Sequence, residues 1–164
     1  LGWVGKNSNI ISKTKGSWIV LGFLISTEQL KPDKPIKNEC SDCDICIKAC
    51  PTNAIEKPYV INSNLCLAYH TIENRSETLP ENISKSQNRW IAGCDICQDV
   101  CPWNTKKQTN NPDPEVQPKD WILNMKKEKI MSLNDNDWSQ LLKGSALKRI
   151  KPEMWRRNAK SASK

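Results

Sequence analysis

Two cysteine-rich runs constrain this chain more strongly than any other feature of its sequence. The first run reads CSDCDICIKACP and contributes four cysteines, which are Cys40, Cys43, Cys46 and Cys50. The second run reads CDICQDVCP and contributes three, which are Cys94, Cys97 and Cys101. Cys66 lies between the two runs. The 164 residues contain eight cysteines in total, so none falls outside this pattern.

The gaps within these runs are typical of iron–sulfur ligands. Three thiolates separated by two residues each can hold one cluster, and a fourth, three residues further on and followed by proline, serves another cluster. The proline also prevents the loop from continuing as a helix. We therefore predict one 4Fe–4S cluster held by Cys40, Cys43, Cys46 and Cys101. We predict a second 4Fe–4S cluster held by Cys50, Cys66, Cys94 and Cys97.

Two other uses of eight cysteines fit the sequence less well. Four disulfides would require an oxidising compartment, whereas no secretory segment is visible ahead of the first run. Paired C-x-x-C motifs also bind zinc, but zinc knuckles do not need the C-x-x-x-C-P extension seen here. The spacing does not distinguish an intact 4Fe–4S cluster from a damaged form with three irons.

The net charge of +7 is distributed unevenly along the chain. Residues 1–39 carry six basic and three acidic side chains, and residues 40–104 carry five basic and eight acidic ones. Residues 105–164, here called the basic tail, carry fourteen basic and seven acidic ones. Because an oxidised cluster with four thiolates adds about −2, two clusters would leave roughly +3 on the protein, with the positive field concentrated in the tail.

Local patterns predict short elements around the cysteine runs. Residues 9–12 and 17–26 look like two strands joined by a turn at Lys13–Gly16. Residues 51–55 look like a turn of helix, and residues 59–61 look like a strand. In the tail, one helix is predicted from Leu133–Asn134 to a stop at Gly144, and a last helix over residues 153–160 follows Pro152. No run of 18 apolar residues suggests a membrane span.

Motifs outside the cysteine runs resemble those of the epoxyqueuosine reductases. The matching stretches are LGWVGKN, GSWIVLG, CSDCDICIKACPTNAI, PYVI, CLAYHTIE, GCDICQDVCPWN and GSALKRIK with RRNA. They follow the family order over nearly the whole chain. The resemblance implies reduction of epoxyqueuosine to queuosine at the wobble position of tRNA, with electrons passed through two 4Fe–4S clusters to cobalamin.

The resemblance also implies roles for particular residues. The general acid of the family lies ahead of the LGWVGKN motif, so we assign no catalytic residue in this chain and expect it to be inactive by itself. Five residues are candidates for cobalamin contacts, namely Lys6, Asn7, Tyr69, His70 and Thr71. Four are candidates for tRNA contacts, namely Lys148, Arg149, Arg156 and Arg157. A lone histidine such as His70 is more often a packing residue, and a basic run is often only a solvated surface.

The family pattern implies an α+β fold with three parts. Residues 1–38 would form the end of an α/β cobalamin-binding domain and a linker. Residues 39–104 would form a two-cluster, ferredoxin-like domain, and residues 105–164 a loop and a short helical basic tail. The expected partners are tRNA and an external electron donor, for a cytoplasmic monomer that does not bind membranes.

Three other functional classes would each explain only part of this sequence. A stand-alone two-cluster ferredoxin would explain residues 40–102 but not the GWVGKN hairpin or the tail. A reductive dehalogenase would share the cobalamin and clusters, but it would be exported and would lack KRIK and RRNA. A nucleic-acid adaptor would use the tail and leave the redox spacing without a purpose.

Overall fold

The computed structural model describes residues 1–105 and 117–162, which form short helices and small antiparallel sheets. In chain order the elements are β1 (Trp3–Val4), β2 (Ile10–Ile11), α1 (Ile45–Ala49), β3 (Ile55–Lys57), β4 (Val60–Ile61), α2 (Leu67–Ile72), α3 (Glu81–Ser86), α4 (Ile96–Asp99), α5 (Pro102–Thr105), α6 (Asp120–Leu123), α7 (Lys127–Ser132), α8 (Asp135–Leu141) and α9 (Pro152–Ser161). Turns of 3-10 helix occur at Ser63–Leu65 and Ala146–Arg149. In the described ranges, no helix is long and apolar enough to cross a bilayer.

The described residues fall into two compact units, and each unit collects separate parts of the chain. The hairpin unit, named after β1 and β2, comprises residues 1–50, 55–61 and 96–105. The helical unit comprises residues 51–54, 62–95 and 117–162. This mixture of helices and small sheets agrees with the predicted α+β class.

The N-terminal hairpin pairs β2 with β1 and not, as predicted, with residues 17–26. Trp3 of β1 faces Ile11 of β2 in antiparallel register, and both side chains are buried. Ser12 extends the pairing by one bridge to Gly16, which closes the turn with φ of 67°. A side chain at Gly16 would collide with the amide oxygen of Asn104, so the turn requires glycine for its conformation and for space. The strand predicted at residues 9–12 and the turn predicted at 13–16 are confirmed.

The strand predicted over residues 17–26 is wrong. The structure assigns no strand there, and four of its apolar side chains are 88–98% exposed, namely Val20, Phe23, Leu24 and Ile25. Gly22, in the middle of this segment, has no atom within 4 Å of the place where a side chain would begin. An apolar, β-branched sequence favours a strand only when a neighbouring strand takes up its backbone hydrogen bonds. Among the described residues, neither sheet includes this segment.

The segment after the first cysteine run is a hairpin rather than a helical turn. Asn53 has φ of 54°, a left-handed conformation in which a right-handed helix cannot continue. The chain instead enters β3, where Ile55 pairs with Ile61 of β4 in antiparallel register. The helical turn predicted at residues 51–55 is therefore wrong, and the strand predicted at 59–61 is confirmed over Val60–Ile61.

The helical unit has its own apolar core. The buried side chains that form it come from α7, α8, α9 and the turns between them: Ile130, Leu133, Trp138, Leu142, Ile150, Met154, Trp155 and Ala159. The rings of Trp138 and Trp155 stack with their centroids 5.0 Å apart. Such aromatic pairs add to the free energy gained by burying their surface.

The two helices predicted in the tail are confirmed, and their ends follow the expected chemistry. Asn134 and Asp137 form a reciprocal capping box at the start of α8, which satisfies two backbone donors. Gly144, with φ of 71°, follows the end of this helix. Pro152 occupies the first turn of α9, where its missing N–H group costs no helical hydrogen bond.

Candidate metal centre

Four cysteines of the hairpin unit line one cavity of about 270 Å³. They are the four that the spacing assigns to one cluster, Cys40, Cys43, Cys46 and Cys101. The structure therefore brings the last cysteine of the second run together with three cysteines of the first. The cavity walls also include the side chains of Lys6, Asn7 and Trp103.

Short local turns place the cysteines of the first run. The backbone N–H of Cys43 donates to the carbonyl of Cys40 at 2.9 Å, which closes the C-x-x-C loop. Ser41 adopts φ of 42° within that loop, a conformation that L residues rarely take. Cys46 then lies in α1, so a helix and not a loop fixes its direction.

Asn38 holds the entry to this loop. Its side-chain oxygen accepts a hydrogen bond from the N–H of Cys40 at 2.9 Å, and its amide nitrogen donates to the carbonyl of Val4 at 3.0 Å. The same nitrogen lies 3.1 Å from the hydroxyl of Tyr59. Asn38 was not predicted as a functional residue, although an asparagine two residues before a turn often bonds to the backbone in this way.

Asn104 holds the chain just after Cys101. It is 5% exposed, and its side-chain oxygen accepts from the N–H of Ser17 at 2.7 Å. Its amide nitrogen donates to the hydroxyl of Ser17 and the carbonyl of Gln98, both at 2.8 Å. Asn104 was also missed, because its partners lie as far as 87 residues away in the sequence.

The environment of the cavity disfavours bare thiolates. Burial, followed by repulsion from the neighbouring thiolates, raises the pKa of the Cys46 thiol. Burial likewise raises the pKa of the Cys101 thiol, with smaller effects of the same sign from Cys40 and Cys43. Thiolates crowded in a water-poor site need bound cations to balance their charge, and an iron–sulfur cluster provides them.

The donor set of the cavity fits a 4Fe–4S cluster. All four candidate ligands are sulfur atoms, as such clusters require. Within residues 1–105 and 117–162, no group of three or more His, Cys, Asp and Glu side chains is close enough to share one metal ion. A cluster of four irons can take one thiolate on each iron, so its ligands need not converge on one point.

A pair of aromatic rings lies beside the cavity, and Trp103 is the member of the pair that lines it. Trp3 and Trp103 meet edge to face with their centroids 4.9 Å apart, and Trp3 packs in the same buried cluster as Ile11 and Cys101. Rings in this position keep water away from a bound cluster, and solvent exposure is one of the factors that set its reduction potential.

The other four cysteines are distributed over both units. Cys50 and Cys97 belong to the hairpin unit, and Cys66 and Cys94 belong to the helical unit. Each is partly buried, and no two of the eight cysteines are joined by a disulfide. The carbonyl of Cys66 accepts from the N–H of His70 at 3.1 Å, so Cys66 begins α2. Their assignment to a second cluster stays a prediction from spacing.

Three of the five predicted cobalamin contacts are buried and hydrogen-bonded to other residues of the protein. Asn7 is 3% exposed, and its amide donates to the carbonyl of Cys97 at 3.1 Å. His70 is 4% exposed; its Nε2 donates to the carbonyl of Asn64 at 2.8 Å, and its Nδ1 accepts from the amide of Asn74 at 2.9 Å.

Thr71 completes this group of internal residues. Its hydroxyl donates to the carbonyl of Leu67 at 2.7 Å and accepts from the N–H of Gly93 at 3.0 Å. Burial and these hydrogen bonds give Asn7, His70 and Thr71 structural roles. Lys6 and Tyr69 are less buried, and the cobalamin contacts of all five residues stay a prediction.

The four predicted tRNA contacts differ in how exposed they are and in how many internal partners their charged groups have. Lys148 is exposed, and Arg149 is exposed but lies 2.7 Å from the carboxylate of Glu73. Arg156 donates to the carboxylate of Asp135 at 2.6 Å and to the carbonyl of Leu133 at 2.9 Å.

Arg157 is the most committed of the four to internal bonding. Its guanidinium donates to the carbonyls of His70, Asn74 and Ser76. Burial lowers the pKa of this guanidinium, although it stays charged. The tRNA contacts stay a prediction, and the geometry leaves Lys148 and Arg149 as the cations best placed to make them.

Comparison with known proteins finds a match for the two cysteine runs. A family model described as a 4Fe-4S double cluster binding domain matches residues 39–104. Beyond that region, the whole chain is 57% identical to an epoxyqueuosine reductase of Prochlorococcus marinus (strain NATL2A) and covers 53% of that protein. It is 54% identical over 162 residues to an epoxyqueuosine reductase of Synechococcus sp. (strain CC9605), of which it covers 50%.

Solved structures of similar proteins have the same fold. An epoxyqueuosine reductase from Bacillus subtilis superposes with a TM-score of 0.92 over 98% of this chain at 27% identity. An epoxyqueuosine reductase in complex with an epoxyqueuosine-modified stem loop of tyrosine tRNA gives the same TM-score. In both, the matched part is 42% of the solved chain, and this chain spans about half the length of the relatives found by sequence.

Proposed function

We propose that this chain, which is homologous over its whole length to about half of an epoxyqueuosine reductase, carries the iron–sulfur electron path of such an enzyme. The proposed reaction is the reduction of epoxyqueuosine to queuosine at the wobble position of tRNA. Electrons from an external donor would pass through two 4Fe–4S clusters to cobalamin. Cobalamin enters this proposal only through the resemblance of the sequence motifs to the epoxyqueuosine reductases.

One observation carries the proposal furthest. Cysteines from both runs line a single cavity in the hairpin unit, and the chain that surrounds it is 57% identical throughout to a named reductase. The cysteine pattern alone would fit many electron-transfer proteins. The identity extends over residues 1–38 and over the tail, which a simple two-cluster protein does not need.

The residues of this chain bind and shield the electron carriers. Cys40, Cys43, Cys46 and Cys101 would hold one cluster, and Cys50, Cys66, Cys94 and Cys97 would hold the other. Bound clusters would supply one-electron transfer. Asn38 and Asn104 fix the loops that present Cys40 and Cys101, and the ring of Trp103 lines the cavity and packs against Trp3.

The proposed nucleic-acid partner is a tRNA that carries epoxyqueuosine. Support comes from the related structure that contains such a stem loop and from the charge of the basic tail. Lys148 and Arg149 would contact backbone phosphates, which position a nucleic acid without reading its sequence. The modified base itself would then be selected in a pocket.

A chimeric enzyme provides the test. This chain would replace the matching half of the Prochlorococcus marinus reductase, and queuosine formation would be measured in epoxyqueuosine-containing tRNA with cobalamin and a reductant. We expect the chimera to form queuosine, and we expect this chain alone to form none. A chimera that binds both clusters and cobalamin but forms no queuosine would contradict the proposal.

The alternative is a stand-alone two-cluster, ferredoxin-type electron-transfer module. It is favoured by the family model, which covers residues 39–104 and describes a double-cluster domain. Under this alternative, the chain by itself would reduce a soluble electron acceptor at the rate of a ferredoxin, and the chimera would be inactive.

A further inference from the structure

Lys6 lies on the wall of the cysteine-lined cavity, where it contacts the loop between the first two ligands. It is one of the cavity-lining residues, and its Nζ donates to the carbonyl of Ser41 at 2.6 Å. We propose that Lys6 sets the reduction potential of the cluster held by Cys40, Cys43, Cys46 and Cys101. This inference rests on the proposed function, because it requires that the cluster binds.

The hydrogen bond from Lys6 stabilises an unusual backbone conformation. Ser41 has φ of 42°, and this conformation allows the C-x-x-C loop to turn so that Cys43 N–H reaches the carbonyl of Cys40 at 2.9 Å. The loop turns the Ser41 carbonyl toward the Lys6 ammonium, which lies 35 residues away in the sequence. Lys6 therefore positions the ligand loop as well as carrying a charge.

The charge of Lys6 is not cancelled by an ion pair in the described parts of the chain. The carboxylates of the hairpin unit that form ion pairs do so with other lysines: Asp44 with Lys48 at 2.8 Å, and Glu39 with Lys13 at 3.8 Å. Lys6 has only a small effect on the pKa of Asp44, because Lys48 is the main cause of the lowering of that pKa. Lys6 thus brings a positive charge to the cavity wall.

A positive charge in this position favours the reduced cluster. One-electron reduction adds a negative charge to a cluster that already carries about −2 with its four thiolates. Coulomb attraction to an ammonium is greater for the more negative state of the cluster. Lys6 should therefore raise the reduction potential, and its removal should lower it.

The experiment compares four variants of the cluster-loaded chain. Lys6→Gln removes the charge and keeps an N–H donor for the Ser41 carbonyl, Lys6→Met removes both, and Lys6→Arg keeps both. Lys15→Gln is the matched control, because Lys15 is an exposed lysine of the same unit that does not line the cavity. Redox titrations followed by electron paramagnetic resonance would give the midpoint potential of each cluster.

We expect one of the two midpoint potentials to fall in Lys6→Gln and Lys6→Met and the other to stay unchanged. A tenfold loss in the equilibrium constant for reduction corresponds to about 59 mV for one electron. Lys6→Arg and Lys15→Gln should match the unaltered chain, and Cys101→Ser should disturb the same signal that Lys6 shifts.

Two outcomes would overturn the inference in different ways. Equal midpoint potentials in Lys6→Gln and the unaltered chain, at equal iron content, would show that the charge has no effect. A shift in Lys6→Met alone would assign the effect to the hydrogen bond and would overturn the role of the charge. The iron content of the unaltered chain is a separate measurement, and its failure to bind any iron would refute the proposed function as well.

Discussion

The guanidinium of Arg157 donates a 2.7 Å hydrogen bond to the backbone carbonyl of His70. This bond joins α9 to α2 across 87 residues of sequence, and the neighbouring Asn158 adds bonds to the carbonyls of Thr71 and Ile91, both at 2.8 Å. An arginine whose guanidinium N–H groups already bond to backbone carbonyls stabilises the fold and has few donors left for a phosphate. Some cations of the basic tail therefore stabilise the fold through internal hydrogen bonds, whereas others are exposed and can contact a nucleic acid.

Replacing Arg157 should destabilise the chain. Arg157→Ala leaves the carbonyls of His70 and Asn74 without their charged donor, which costs about 2–4 kcal/mol in the free energy of unfolding. Arg157→Lys should recover only part of this, because an ammonium cannot reproduce the planar fork. Urea unfolding measures the effect, and Lys160→Ala on the exposed side of α9 is the control, expected to stay within about 0.5 kcal/mol. Equal stability of the two alanine variants would refute the structural role.

Replacing Cys101 should damage the cluster of the first cysteine run, although Cys101 lies in the second. Cys101→Ser removes one of the four thiols that line the cavity, whereas Cys50→Ser should damage the other cluster. The reconstituted chain should contain about eight irons and eight sulfides, and each variant should lose up to about four of each. Paramagnetic resonance distinguishes the two clusters. The crossed arrangement would be falsified if Cys50→Ser and Cys101→Ser abolished the same signal.

Removing the available cations should weaken tRNA binding in the chimera. Lys148→Ala with Arg149→Ala should reduce the slope of log affinity against log salt by about 1.4–1.8, since each lost phosphate contact contributes about 0.7–0.9. The iron content should stay the same. Lys85→Ala removes an exposed charge elsewhere in the helical unit and should leave the slope unchanged. An unchanged slope in the double variant would show that these two cations are only a solvated surface.

Gly16 should be far less replaceable than Gly22, which lies in the same unit. Gly16→Ala adds a Cβ atom that meets the carbonyl oxygen of Trp103 at 2.8 Å and collides with Asn104, at a φ that alanine rarely adopts. We expect a loss of more than about 1 kcal/mol in stability. Gly22→Ala is the matched control, because no atom lies within 4 Å of its added side chain. Similar thermal unfolding of both variants would contradict the close approach at Gly16.

Spacing and end signals in the sequence were sufficient to predict much of this fold. The cysteine gaps predict the four cysteines that line the cavity, and the asparagine and proline at the starts of α8 and α9 predict those helices, because each signal is local. The strand at residues 17–26 was predicted wrongly, because its apolar pattern does not reveal whether a partner strand is present. The roles of Arg157 and Asn104 could not be read from the sequence, because their partners lie 87 residues away.

The exposed apolar segment that follows the hairpin affects the solubility of this chain when it is isolated. The twelve residues from Gly16 to Thr27 contain no charge and no proline, and Phe23, Leu24 and Ile25 are at least 88% exposed. Such a segment has the composition of sequences that stack into intermolecular sheets. We therefore expect the isolated chain to aggregate as its concentration rises. Val20→Lys or Leu24→Lys would place a charge within this apolar segment and should improve the solubility of the chain.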